Sequence, residues 1–170
     1  MRKSWLWIAI IGLALILLMN IPFIQSLEIS DRKSGQILAV APVHTGEQFT
    51  ISFTHSIAKT PVDEVFVVGP GREIIVTETI YESFGAGLPF DTEGEQQQLI
   101  TANGKYRLTN LDRHLPEFLQ AVGTVANHQL IINGKQIPFT QFAQPGESVR
   151  IRVRMQSPLT YLLTSSLGMI

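Results

Sequence analysis

The chain contains no cysteine. That removes a disulfide framework, a thiolate metal site, a cysteine nucleophile and a lipidated N-terminal cysteine together. It does not assign a compartment, because cysteine-free chains occur in reducing and oxidising surroundings alike. Charge is scarce too: charged residues make up 16% of the sequence, against roughly 25% in an average soluble domain. The formal net charge is −1, and no basic stripe is present that would neutralise a run of phosphates, so nucleic-acid binding is not expected. Arg150, Arg152 and Arg154 alternate at strand spacing and read as three charges on one solvated face. A repeat with a period of about 20–50 residues is missing. Missing as well are a Gly-x-Ser-x-Gly elbow, a dinucleotide fingerprint and a phosphate-binding loop. No catalytic residue, resident metal or cofactor is assigned, and an enzyme is not expected.

Much of the charge deficit lies at the start. Residues 5–19 are all apolar or small, and only Asn20 interrupts the pattern before residues 21–24. Together they supply about 20 residues, the length an α-helix needs to cross roughly 30 Å of hydrocarbon. Arg2 and Lys3 precede the run, no Ala-x-Ala cleavage pattern follows it, and Trp5 and Trp7 suit the interface on the charged side. The expectation is an uncleaved transmembrane anchor over residues 1–26, with a cytoplasmic N-terminus and an extracytoplasmic domain over residues 27–170 at the cell membrane.

From Leu27 the dominant period is two, punctuated by Gly, Pro, Asn and Asp. This predicts strands over residues 27–32, 36–41, 48–55, 62–68, 73–83, 98–102, 106–109, 129–132, 135–139 and 148–155. The pairs Asn103-Gly104 and Asn133-Gly134 are hairpin signals, since a type I′ turn needs positive φ at both central positions. The fold class is therefore all-β, an antiparallel sandwich or a barrel. Helix candidates are residues 113–121, despite Pro116, and residues 158–167.

Two constellations hold polar residues in unusual density. The first runs from Thr54, His55 and Ser56 to Thr60, Pro61, Val62, Asp63 and Glu64, a polar turn between two apolar strands. A Ser–His nucleophile is disfavoured, because adjacent side chains on an extended chain point to opposite faces. His55 and Glu64 across a hairpin would instead flank a ligand or a divalent ion, completed by Asp91 or Glu82, although a metal needs three or four convergent donors. The second runs through Ser83, Phe84, Gly85, Ala86, Gly87, Leu88 and Pro89. Gly85 and Gly87 permit positive φ, close approach, or an anion-binding nest, and a bulge accounts for them equally well.

In order and spacing these two constellations resemble the bacterial family called domain of unknown function 1850, small proteins found beside permeases of TAXI-type TRAP transporters. The resemblance implies a membrane-associated accessory to a secondary transporter for small organic anions such as carboxylates, with a transporter permease as partner. The positions that match are His55, Ser56, Pro61, Glu64, Ser83, Gly85, Gly87 and Pro89, and with Asp91 they form the expected ligand- or partner-binding set.

Overall fold

In the computed structural model, residues 2–83 and 96–165 are described, with side chains from residue 5 onward. An opening helix, α1 (Arg2–Asn20), leads into eleven strands: β1 (Ile24–Asp31), β2 (Ile37–Pro42), β3 (Gln48–Thr54), β4 (Pro61–Val68), β5 (Ile74–Tyr81), β6 (Gln98–Ala102), β7 (Lys105–Leu115), β8 (Glu117–Ala121), β9 (Gln129–Ile132), β10 (Lys135–Pro138) and β11 (Ser148–Gln156). A final helix, α2 (Pro158–Ser165), closes the described chain. Its start follows local rules: the Ser157 hydroxyl accepts the Thr160 N–H at 3.2 Å, and Pro158 occupies the first helical position, where a missing N–H costs nothing.

The strands form two antiparallel sheets. The smaller has the order β2-β1-β11-β8 and the larger the order β10-β9-β3-β4-β5-β7-β6. Their inner faces pack as a sandwich, with Leu27, Ile29, Ala41 and Ile151 meeting Phe49, Ile51, Phe66 and Leu130. Phe66 ties the layers together: its ring stacks on Phe49 at 5.1 Å within the larger sheet and on Phe118 of β8 at 5.0 Å. Both predicted hairpin turns form, with φ of 54° and 74° at Asn103 and Gly104, and 52° and 72° at Asn133 and Gly134.

Two expectations need correction. Residues 113–121 are not helical. They complete β7 and form β8, and Pro116 falls in the break between them because it has no N–H to donate to a ladder or a helix. What holds the segment extended is tertiary: β8 pairs with β11, with Phe118 opposite Ile151, and so places Phe118 over Phe66. The N-terminal helix is also shorter than the apolar run suggested. It ends at Asn20, whose side-chain amide turns back to the Ile16 carbonyl at 2.8 Å, while Pro22 follows and Ile24 already pairs with Gln156. Residues 21–24 therefore add nothing to its length, and among the described residues no helix is long and apolar enough to cross a membrane. The helix is nonetheless apolar on all sides, with Trp5, Leu6, Trp7, Ile8, Ile11 and Leu15 among its exposed side chains.

With seven strands against four, the larger sheet extends beyond its partner. Past the main core its inner face carries a second cluster, Val62 and Tyr81 with Phe53, Leu99 and Tyr106 packed around them. Between the two clusters, on the inner face of β4, stands Glu64.

Candidate functional site

Strand periodicity puts Val62, Glu64, Phe66 and Val68 on one face. The register sets Glu64 between Ile51 of β3 and Thr79 of β5. One row further along, Phe66 pairs with Val76, and Val76 with Arg113 of β7, so Arg113 belongs to the same face. Bulges between Val65 and Phe66 and between Val76 and Glu78 bring these rows together, helped by positive φ at Asn110 and Asp112. The result is a cavity of about 390 Å³ that reaches from this face to the edge strand β8. Glu64 and Arg113 share it with Thr79, and Phe66, Leu115 and Phe118 supply apolar wall.

The two charges do not close into a direct contact. Among the described residues neither the Glu64 carboxylate nor the Arg113 guanidinium makes a hydrogen bond or an ion pair. Two strand spacings, about 10 Å, separate β4 from β7. Burial pushes the Glu64 carboxyl above its ordinary value of 4.5, and the Arg113 charge opposes that rise. A folded-state value above the unfolded one means the carboxyl contributes most to stability below about 4.5 and that this contribution is lost as pH climbs through the folded value. Glu64→Gln is therefore expected to unfold at a higher temperature than the parent at neutral pH. The gap should narrow as pH falls toward 4.5, and thermal melts from pH 4 to pH 8 check it.

His55 has a different job. It lies beyond the end of β3, in the turn to β4, where Thr54 pairs with Pro61, whereas Glu64 pairs with Ile51. His55 and Glu64 thus do not face each other across the hairpin; four residues of strand, roughly 13 Å, separate Ile51 from His55. The His55 ring is buried, and its Nδ1 accepts the N–H groups of Ala58 at 3.0 Å and Ile57 at 3.3 Å. Both bonds need a lone pair on Nδ1, as in the tautomer protonated on Nε2. The turn is closed further by the His55 N–H on the Thr60 carbonyl at 2.8 Å and the Lys59 N–H on the His55 carbonyl at 2.9 Å. His55→Ala should cost about 1–2 kcal/mol, because it orphans two N–H groups in a turn. His55→Asn, with an amide oxygen in place of the ring nitrogen, should restore part of that in urea titrations.

Ser56 is exposed on the same turn. Ser83 does come to this turn: its hydroxyl lies 3.2 Å from that of Thr60, so the two sequence constellations meet at that point. Gly85, Gly87, Pro89 and Asp91 lie outside the described residues. Glu82 faces Lys105 at 3.5 Å. Among the described residues no three of His, Asp and Glu gather as a metal-binding group. The three alternating arginines are only partly solvated: Arg150 meets Glu117 at 3.0 Å, Arg152 meets the buried Glu28 at 2.6 Å, and Arg154 is exposed.

Sequence reasoning found Glu64 and missed Arg113. The missed signal was the alternation of Leu111, Arg113 and Leu115, a period of two that marks a strand even beside Pro116.

The chain matched no curated protein and no solved structure. The family model described as "Domain of unknown function (DUF1850)" matches residues 49–139. That match takes in the His55 turn, Ser83 and every residue lining the cavity of Glu64 and Arg113. Because it spans more than half of the sequence, the chain belongs to the DUF1850 family.

Proposed function

We propose that this chain is a membrane-anchored, extracytoplasmic accessory protein of a TAXI-type TRAP transporter for small organic anions, acting by contact with the permease. The observation that carries the reading is the surface of α1. Consecutive side chains such as Trp5, Leu6, Trp7 and Ile8 are all exposed, and a helix apolar all round finds its stable surroundings in lipid or in a protein interior. Its 19 residues extend about 28 Å at 1.5 Å per residue, short of the roughly 30 Å of hydrocarbon. Local thinning of the bilayer would take up the mismatch. The charges of Arg2 and Lys3 favour a cytoplasmic N-terminus. The sandwich then emerges directly at β1, only three residues after α1 ends, and stands close to the bilayer surface where a permease would present its loops.

In cells, the full chain should resist carbonate extraction, and its sandwich should be cut only by protease added from the extracytoplasmic side. Mild crosslinking should then recover the permease. Release by carbonate would remove the anchor; failure to recover a permease, with normal transport in a deletion strain, would remove the accessory role.

A second reading has its own support. The cavity beside Glu64 and Arg113 is within the range of about 300–1,000 Å³ usual for small-molecule sites, and its lining sets Glu64, Thr79 and Arg113 beside the apolar Phe66, Leu115 and Phe118. On this reading the domain binds a small ligand. Thermal melts of the full chain with small carboxylates and divalent ions test it, since a ligand at 100 times its Kd adds about 2.7 kcal/mol.

A further inference from the structure

We infer that the cavity between the sheets takes a small zwitterion with an apolar body, an amino-acid-like molecule whose cation meets Glu64 and whose carboxylate meets Arg113. The inference rests on the reading of this cavity as a ligand site and names the class of molecule that fits it. Its basis is the pattern of satisfaction. Glu64 and Arg113 line one cavity with opposite charges, yet among the described residues neither side chain makes a hydrogen bond or a direct ion pair. Elsewhere in the same domain opposed charges close up, as in Arg152 with Glu28 at 2.6 Å and Arg150 with Glu117 at 3.0 Å.

A carboxylate held against apolar wall gains most from a charged donor, and a guanidinium from a planar acceptor that takes two N–H groups together. One molecule with an ammonium and a carboxylate supplies both. A plain anion would bring a like charge into the space Glu64 occupies, and a plain cation would do the same to Arg113, so each would lose one contact and add a repulsion. Between the charges the wall consists of Phe66 and Val76, with Phe118 facing them from the other sheet. This surface suits an aliphatic or aromatic side chain, whose burial adds affinity without further polar contacts. At about 390 Å³ the space accommodates a molecule of amino-acid size.

The test uses the purified full chain in detergent with three probes of nearly equal shape: leucine, leucinamide, which keeps only the cation, and 4-methylpentanoate, which keeps only the anion. Isothermal titration should show leucine binding, with each single-charge analogue weaker by about tenfold or more, the loss of one charge-assisted hydrogen bond. Glu64→Gln should weaken leucine by a similar factor and leave 4-methylpentanoate no weaker. Arg113→Gln should do the converse with leucinamide. Melting curves of the unliganded variants confirm that each is folded. Either analogue binding as tightly as leucine overturns the zwitterion and leaves the cavity as a ligand site. Binding of none of the three overturns it as well. Leu119→Trp, on the exposed rim, narrows the cavity; if leucine binds this variant unchanged, the ligand is elsewhere and the cavity reading itself falls.

Discussion

Replacing Phe66 by alanine should lower the stability of the folded chain by about 3–5 kcal/mol, the usual range for deleting a buried aromatic ring. The residue is 3% exposed and its ring lies between those of Phe49 and Phe118. The ring meets its own sheet through Phe49 and the facing sheet through Phe118, so its loss opens a void and also loosens edge strand β8 from the larger sheet. For a chain of this length the melting temperature should fall by roughly 10 °C. Phe66→Leu keeps apolar volume and should recover much of the loss, though not the two stacking contacts, each of which contributes about 0.5–1.5 kcal/mol beyond area. Urea midpoints measured with an unchanged slope would check the series. A Phe66→Ala loss below about 1 kcal/mol would mean that the stack does not hold the layers together.

The second large effect should come from Arg152→Met. Glu28 points to the outer face of the smaller sheet, yet its side chain is only 5% exposed, and Arg152 donates to its Oε1 from Nη2 at 2.6 Å and from Nε at 2.8 Å. Removing the guanidinium leaves a buried carboxylate with one remaining donor, the Gln156 amide at 3.3 Å. Breaking a buried pair from one side costs about 3–5 kcal/mol, because the surviving charge stays desolvated. Arg152 is itself 22% exposed, and water reaching that side places the expected loss near the lower end, about 3 kcal/mol. Adding Glu28→Gln to Arg152→Met should return a substantial part, since the orphaned charge is then gone. A double variant no more stable than the single would show that the pair acts through packing of the arginine stem and not through charge.

The contrast between this pair and Glu64 with Arg113 is physical. Glu28 sits opposite Arg152 on adjacent strands, where cross-strand partners stand about 5 Å apart and long side chains meet without strain. Glu64 and Arg113 are separated by an intervening strand and by a row along the sheet, so direct closure would require Arg113 to cross the space above Val76. The two side chains line one cavity and do not close on each other as an ion pair or a hydrogen bond.

How much was legible beforehand varied from element to element. The alternation in β1, β3, β4 and β11 and the Asn-Gly pairs at positions 103 and 133 are local signals, and local physics honoured them: a period of two exposes one face, and an Asn-Gly turn accepts positive φ. Residues 113–121 misled because Pro116 and short apolar spacing gave no clear period, and their extended form depends on pairing with β11, some 30 residues later in the chain. The apolar run at the start overstated α1, since apolarity continued through residues that Pro22 and the pairing of Ile24 with Gln156 draw into a turn and a strand. His55 and Glu64 were expected opposite each other and are not, because the length of the turn that sets their register depends on how His55 folds over its own backbone.

Composition and local pattern were enough for the chemical inventory: no thiols, no basic stripe, an apolar N-terminal helix, a succession of strands with their hairpin turns, and membership of the DUF1850 family. Those properties depend on composition and on neighbours within a few residues. Pairing across the fold was needed to set seven strands against four, to open a cavity between the larger sheet and β8, and to bring Arg113 and Glu64, but not His55, to its lining. Pairings between distant strands and the bulges that shift their registers set those positions, and a one-residue change in register would turn Glu64 to the opposite face.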